Sequence, residues 1–403
     1  MIVSEIAVQI RGRIPASAIR AEDYVSTDNM RPNFGGIATS SSMPQSGNVT
    51  AYQVGDILLS NIRPYFRKTW LATHSGGCNA DVLCIRANPK KCLPQYLYYL
   101  FTTDNFVTDY LKSCKGAKMP RGDVNRLLNY EFNLPDLPTQ LRIAGVLGSI
   151  DEKIELNRKK IAELEALAKS IYDYWFVQFD FPDANGKPYK SSGGKMVWNE
   201  QLKREVPEGW NIGTIGDMGE IVSGGTPSTS NASYWSSQGI AWITPKDLSV
   251  TSNKYIRHGE HDISENGLHN SSAQLMPRKS VMLSTRAPIG YIAVADCDLC
   301  TNQGFKSIVP NKNFGSEFIY YAVSAMIPFI KSLGVGSTFA EVSKSSLSSV
   351  QSILPPQHIC SRFDEIASSI GNERLRCELE IENVVELRDV LLPLLMNGQV
   401  VVG

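Results

Sequence analysis

Apolar residues recur at alternating spacings of four and three along two long stretches of this chain. The first runs Ile143, Leu147, Ile150, Ile154, Asn157, Ile161, Leu164, Ala168, Ile171, Trp175. The second runs Ile359, Phe363, Ile366, Ile370, Glu373, Cys377, Glu380, Val384, Leu387, Leu391, Leu394. Such spacing predicts a helix with one narrow apolar seam, the pattern of a coiled-coil strand. The flanks of the first seam are charged, with Asp151, Glu152, Lys153, Arg158, Lys159, Lys160, Glu163 and Glu165. Pro182 and Gly186 stop this helix, and Pro393 predicts a kink or fray near the end of the second.

The chain before each seam has a different texture. Residues 1–138 alternate short β-like runs, Ile57-Leu58-Leu59 and Val82-Leu83-Cys84-Ile85, with Ser-, Gly- and Asn-rich turns, and residues 95–112 read as a helix. Residues 207–355 repeat these elements behind a longer front end. Residues 181–206 form a Gly-, Ser- and Lys-rich linker.

The repetition is literal. Ile57-Leu58-Leu59-Ser60 returns as Val281-Met282-Leu283-Ser284, each followed by a proline, Pro64 and Pro288. Tyr96-Leu97-Tyr98-Tyr99 returns as Phe318-Ile319-Tyr320-Tyr321, and Gly116-Ala117-Lys118-Met119 as Gly336-Ser337-Thr338-Phe339. Leu134-Pro135 and Leu354-Pro355 close the two copies, and Gln140 and Gln357 open the two seams. A duplication of this length predicts two similar globules, two similar helices and two similar binding events.

Connectivity then predicts a shape. The first helix leaves globule one for globule two, and the second has nowhere apolar to lie except back along the first, so the pair is expected to be antiparallel. Asn157 would then face Glu373, Cys377 and Glu380, a polar layer that costs stability and sets register. Pairing of the seams with another copy of the chain is the alternative. A rod of about 33 residues is roughly 50 Å long at ~1.5 Å per residue, the length of about fifteen base pairs at ~3.4 Å each. Two globules held apart in this way suit a target with two separated half-sites, because a rigid rod fixes a spacing that a flexible linker does not.

Composition limits the alternatives. The 403 residues hold 40 Lys and Arg against 40 Asp and Glu, so no global field steers the chain to nucleic acid. No apolar run approaches the ~18 residues of a membrane span, and no secretory leader is evident, so a cytoplasmic location with eight reduced cysteines is expected. Cys297 and Cys300, with His258 and His261 nearby, are a weak zinc pattern; burial in and beside a strand is the better expectation. There is no Asn/Asp-Pro-Pro-aromatic methylation motif and no phosphate loop, and Phe34-Gly35-Gly36 reads as a turn. Pro135-Asp136 with Asp151-Glu152-Lys153 could imitate a nuclease, but the second group falls on a solvated helix flank. No catalytic residue, metal ligand or cofactor site is assigned. A self-sufficient nuclease or methyltransferase without recognisable motifs, or an architectural coiled-coil adaptor, stands as the alternative.

Several segments resemble the specificity subunit of type I restriction-modification enzymes. They are VPEGW (206–210), SGGTPS (223–228), YW (234–235), IAWITPKDL (240–248), NIRPYFRKTWLA (61–72), GAKMPRGD (116–123), LPTQLRIAGVLGSIDEKI (137–154), YWF (174–176), GKPYKSSGG (186–194) and LLMNGQV (394–400). The resemblance covers essentially the whole chain. It departs at the start, where globule one lacks the Pro-Glu-Gly-Trp and Gly-Gly-Thr-Pro segments, which puts residue-by-residue transfer between the globules in doubt. The resemblance implies an α+β fold of two mixed α/β target-recognition domains separated by a long antiparallel two-helix coiled coil, a pseudo-two-fold internal repeat. Its divisions are 1–138, first domain; 139–180, first helix; 181–206, linker; 207–355, second domain; and 356–403, second helix and C-terminal tail. It implies a non-catalytic subunit in which each domain reads half of a bipartite, asymmetric site on double-stranded DNA. The coiled coil sets the spacing and docks two modification (methyltransferase) subunits, which ATP-dependent restriction subunits join.

Candidate contacts follow from the chemistry of readout, in which forked or amide side chains reach base edges and cations or hydroxyls reach phosphates. In globule one these are Arg63, Tyr65, Arg67 and Lys68 on one loop and Lys115, Lys118 and Arg121 on a second. The bland alternative is ordinary surface charge with Tyr65 and Phe66 in the core. In globule two they are Thr226, Ser228, Tyr234, Lys246 and Arg286, the last matching the Arg63 loop. Trp235 and Trp242 are expected in the core, and Gly224 and Gly225 in a tight turn or a close backbone approach. Tyr174, Trp175 and Phe176 cannot all face one seam, so a surface that docks the modification subunits is expected there.

Overall fold

The structure, a computed structural model, describes residues 1–40, 43–116, 118–251, 253–335, 340–400 and 402. Residues 336–339, the second copy of the Gly116–Met119 motif, lie outside the described residues. The chain is mixed α/β and divides into two compact units, Met1–Leu156 with Ile381–Gly403, and Asn157–Glu380.

In the first unit, strands Ala7–Gln9, Val82–Ala87, Ile57–Ser60 and Thr69–Leu71 pair antiparallel in that order. Ile57-Leu58-Leu59 is apolar without interruption because both faces of its strand are covered. Ile57 and Leu59 join the core made by Tyr96, Leu97, Phe101 and Phe106, while Leu58 points the other way to Val25, Cys78 and Cys84. A second sheet orders Arg13–Pro15, Asn48–Tyr52, Gly76–Cys78 and Tyr24–Val25, the last pair parallel. Ile143 and Leu147 of the helix Leu137–Tyr172 and Leu392 and Leu395 of the helix Gln357–Met396 complete the first core.

The second unit uses the same logic. Strands Gly219–Ser223, Lys306–Pro310, Val281–Leu283, Ile292–Ala295 and Tyr255–Ile256 form one sheet. Val281 and Leu283 face the core of the helix Ser316–Ser332, and Met282 faces Ile243, Met276 and Phe305. The second sheet orders Trp235–Ser236, His261–Ile263, Ile240–Ile243 and Cys300–Thr301, again with its last pair parallel.

The structure adds detail to the linker and to the second seam. The linker, residues 181–206, has regular structure of its own. Met196–Asn199 pairs with Arg204–Pro207, and Phe181 stacks on Tyr189 and Trp210 at 4.7 and 5.1 Å between centroids. The aromatic residues supply the burial that the Gly- and Ser-rich composition conceals. Along the second seam Ile359, Phe363 and Cys377 are buried, but Ile366 and Leu387 are exposed and Ala367, Leu392 and Leu395 are buried. A straight helix of 3.6 residues per turn drifts away from a strict seven-residue register, and here the cores of the units take whichever side chains arrive. The helix passes through Pro393 and ends at Met396 in the same turn.

Within the second unit the long helices meet in opposite directions: Asn157 Nδ2 donates to Glu380 Oε2 at 2.9 Å, Arg374 pairs with Glu165, and Tyr172 meets Phe363 at 5.9 Å between rings. Within the first unit Arg388 Nη1 lies 3.6 Å from Asp151 Oδ1. Among the described residues no helix is long and apolar enough to cross a membrane.

Candidate nucleic-acid interface

The two basic loops of the first unit form one patch. The Arg63 amide donates to the Pro120 carbonyl at 2.8 Å, Gly122 to Asn61 at 3.1 Å, and Lys115 and Arg121 exchange main-chain hydrogen bonds at 3.0 and 2.9 Å. The joined loops carry Arg63, Tyr65, Arg67, Lys115, Lys118 and Arg121. Arg67 pairs with Asp104 and Arg121 with Asp81, both at 2.7 Å. Among the described residues Arg63, Lys115 and Lys118 form no ion pair. Lys68 is set apart: its Nζ donates to the Thr27 carbonyl at 2.6 Å, and burial lowers its pKa. It works as a tie between segments. Tyr65 and Phe66 are not in the core; they are 49% and 40% exposed.

The backbone here is unusual. Arg63 (φ 47°) and Arg67 (φ 53°) are both left-handed and bracket the turn Pro64–Phe66. Asn33 (φ 52°) and Phe34 (φ 60°) are left-handed too, and their amides donate to the Phe66 and Arg67 carbonyls at 2.9 Å. Side-chain-bearing residues in this region cost of order 1–3 kcal/mol each, and such strain gathers at ligand clamps.

In the second unit three of the five candidates converge on one tight turn. The Asn302 side chain accepts from the Gly304 amide at 2.8 Å, and Phe305 N donates back to Asn302 O at 3.2 Å. The Gly304 carbonyl accepts from Thr285 and Arg286 at 2.8 and 3.3 Å. A Cβ on Gly304 would lie 3.1 Å from Pro245, the neighbour of Lys246. Thr226 donates its hydroxyl to the exposed amide of Gln303. Ser228 and Tyr234 lie elsewhere: the Ser228 carbonyl accepts from Trp235 Nε1 at 3.2 Å, and the Tyr234 carbonyl from the Ser264 amide at 2.9 Å. The cations are neutralised, Lys246 by Glu260 and Arg286 by Glu341. Burial opposes the charge on Glu341, but hydrogen bonds from Lys306 and Arg286 hold its carboxyl below the usual range.

The same hydrogen bonds recur in the first unit. Asn79 N donates to Val25 O at 3.0 Å as Asn302 N does to Ile243 O at 2.9 Å, and Asn61 N donates to Asp81 O as Thr285 N does to Gly304 O, both at 2.8 Å. Arg121 bridges Ile62 and Lys115 as Glu341 bridges Arg286 and Val335. Arg286 therefore takes the place of Ile62, not of Arg63. Ala80 stands where Gln303 stands, and Arg121 where Glu341 stands. A common scaffold carries different and partly inverted charge.

The glycines and tryptophans of the second unit serve this scaffold. A Cβ on Gly224 would sit 2.0 Å from the Asn302 carbonyl and one on Gly225 2.3 Å from the Ser272 carbonyl, so the close approach is to the chain's own backbone. Trp242 is buried and donates to the Gly225 carbonyl at 2.9 Å, with Trp235 edge-on at 5.1 Å. Burial raises the thiol pKa of Cys300 to about 12, and Cys297 Sγ lies 3.1 Å from the Arg257 carbonyl. Among the described residues no group of three or more His, Cys, Asp or Glu could hold a metal.

The family model for the type I restriction modification DNA specificity domain matches residues 19–166 and again residues 207–383. The chain belongs to this family. It is 25% identical over 407 residues to the type I restriction enzyme HindI specificity subunit of Haemophilus influenzae, covering 87% of each chain. It is 35% identical over 206 residues to the MjaIX specificity subunit of Methanocaldococcus jannaschii, covering 48% of this chain and 47% of that one. The solved type I restriction-modification system S subunit from M. genitalium shares the fold, with a TM-score of 0.61 at 14% identity over 98% of this chain and 95% of that one.

Each match to the specificity domain spans one scaffold turn, Asn79–Asp81 or Asn302–Gly304, and runs on into a long helix. The sequence reading missed Gln303, which lies outside every quoted motif; its signal was the polar Asn-Gln-Gly run between two strands. The alternative that placed Tyr65 and Phe66 in the core does not hold, since both are exposed. At the helix end, Trp175 and Phe176 are buried and only Tyr174, at 39%, is exposed. Five residues in wider i→i+5 turns, Asp173–Val177, rotate Phe176 onto Phe318 at 4.9 Å and Phe363 at 5.2 Å. Trp175 and Phe176 are thus packed inside the second unit, and of the three expected docking residues Tyr174 is the one that faces solvent.

Proposed function

We propose that this chain is the DNA sequence-specificity subunit of a type I restriction-modification complex. Its two globules are target-recognition domains, each binding one half of a bipartite, asymmetric site on double-stranded DNA. The observation that carries this reading is the doubled match to the DNA specificity domain, one match through each globule. The opposite course of the long helices within the second unit supports an antiparallel coiled coil that sets the distance between half-sites and docks the methyltransferase subunits, with restriction subunits joining them. The different chemistry of Ala80 and Gln303 on a shared turn supports an asymmetric site, since one scaffold with two side-chain sets reads two words. The chain itself contributes recognition; methyl transfer and cleavage belong to its partners.

Domain exchange tests this. Residues 1–138 are replaced by another such domain, and methylated adenines are mapped in host DNA. One half-site is expected to change and the other to stay. A change in both, or in neither, overturns the reading. The same mapping after insertion of one heptad into both helices is expected to lengthen the spacer.

A further inference from the structure

In the first unit Tyr65 and Phe66 stand side by side in solvent, their rings 4.7 Å apart between centroids and tilted by 53°. Apolar side chains on a turn are ordinarily turned inward, and here the backbone is arranged so that they are not. The turn that carries them is entered and left through left-handed arginines, Arg63 and Arg67, and is held from outside by the Asn33 and Phe34 amides. The Arg63 amide fastens it to Pro120. Met119, next to that anchor, is 57% exposed. The two joined loops also carry Arg63, Lys115 and Lys118, which form no ion pair among the described residues, and Arg67 and Arg121, which pair with Asp104 and Asp81. An apolar tip on a loop pair that also carries unpaired cations matches a duplex, which offers phosphates on both sides of a groove and apolar base faces wherever a step opens.

We propose that Tyr65 and Phe66 form a wedge that enters the DNA at the first domain's half-site and unstacks one base step. This rests on the reading of the chain as a DNA specificity subunit and adds a deformation to it. The rings cover base faces exposed at the opened step, and the loops' unpaired cations hold the phosphates on either side. Among the described residues, the corresponding turn of the second domain carries no aromatic pair. Its corresponding residues after Pro288 are Ile289, which packs against the unit's core, and Gly290. The distortion is therefore confined to one half-site, and part of the first domain's selectivity comes from how easily a step opens, at positions no side chain reads directly.

The test uses the full chain assembled with its modification subunits, and duplexes carrying 2-aminopurine at successive positions of the mapped site. This base fluoresces when it is unstacked. Positions at and beside the methylated adenines are left out, because the modification subunits extrude those bases; at the remaining positions binding is expected to brighten one in the first half-site several-fold and none in the second. The double variant Tyr65→Ala/Phe66→Ala is expected to lose that signal while still selecting the second half-site. Tyr65→Leu/Phe66→Leu, which keeps an apolar tip, is expected to retain part of it. A complex that binds its site selectively without brightening any position overturns the wedge alone, as does a signal that persists in the double alanine variant. Loss of assembly with the modification subunits in the absence of DNA, in the double alanine variant, also overturns it, since the aromatics would then cover a protein face. A complex that prefers no sequence removes the DNA-reading role underneath.

Discussion

The carboxylate of Glu378, on the second long helix, accepts a hydrogen bond from the main-chain amide of Lys254 at 3.0 Å. The same carboxylate reaches the Tyr255 amide at 3.4 Å and Arg374 Nε at 2.7 Å. Lys254 in turn donates to Glu317 at 2.6 Å beneath the rings of Tyr320 and Tyr321. Burial lowers the pKa of this ammonium, and Glu317 opposes the shift. An edge strand of the second globule is thus fastened to the helix by charges that are themselves buried.

Removing that fastening is expected to be costly. Glu378→Ala leaves the buried Lys254 amide, the partly buried Tyr255 amide and part of Arg374 unpaired and is expected to destabilise the second unit by about 3–5 kcal/mol. Glu378→Gln, which keeps an acceptor, is expected to cost less. Chemical denaturation measures the loss, and hydrogen exchange should accelerate first at the Lys254 and Tyr255 amides. Unchanged exchange there would refute the clamp.

The aromatic run at the end of the first helix separates into two effects. Phe176→Ala opens a cavity among Phe318, Phe363 and Trp210 and is expected to cost about 3–5 kcal/mol. Tyr174→Ala is expected to leave stability within about 0.5 kcal/mol and, if this face docks a modification subunit, to weaken co-purification. Equal recovery of the complex with Tyr174→Ala speaks against docking at this residue.

Asp364 makes stability depend on pH. It caps the helix Ser316–Ser332 by accepting from Gly315 N at 2.9 Å and Phe318 N at 3.0 Å. Burial nonetheless raises its pKa to about 6, with Glu317 adding to the rise and the amides opposing it. The unfolded value is about 3.9, so between those values the folded state holds more protons than the unfolded one. This group's contribution is therefore greatest below about pH 4 and is lost as the pH rises through about 6, a change on the order of 1–2 kcal/mol after allowing for solvent access. Asp364→Asn is expected to flatten the slope of stability against pH in that window, as urea melts at pH 4, 5, 6 and 7 would show.

Readout and positioning should respond differently to substitution. Gln303→Ala is expected to relax one base pair of the second half-site by about 1–3 kcal/mol and leave the first intact. Lys118→Ala is expected to weaken binding to all sequences alike and to reduce the slope of log K against log salt by about 1. Relative methylation rates on single-base variants check the first, and salt titrations the second. A Gln303→Ala complex with unaltered preferences would remove that residue from the readout.

Much of this was legible along the chain. The four-three spacing places Leu147, Ile154, Phe363 and Cys377 inside, and it brings Asn157 opposite Glu380 because a helix converts spacing into a face. It fails at Ile366 and Leu387, where the seam drifts and nothing in a local pattern says which neighbour will cover it. The basic loops were found by composition, but their union was not, since the bond from Arg63 to Pro120 joins residues far apart in sequence.

By itself, the sequence determined a mixed α/β chain with two long helical seams, each behind a set of strands, because periodicity is a local property of a chain. Only the tertiary structure decided which side chains are free to act. Tyr65 and Phe66 face solvent because left-handed backbone at Arg63 and Arg67 turns them out. Trp175 and Phe176 are withdrawn because wider turns rotate them into a core. Gln303 is presented at a turn whose counterpart holds Ala80. Exposure depends on what the rest of the chain brings against a residue, and that sum is set by contacts distant in sequence.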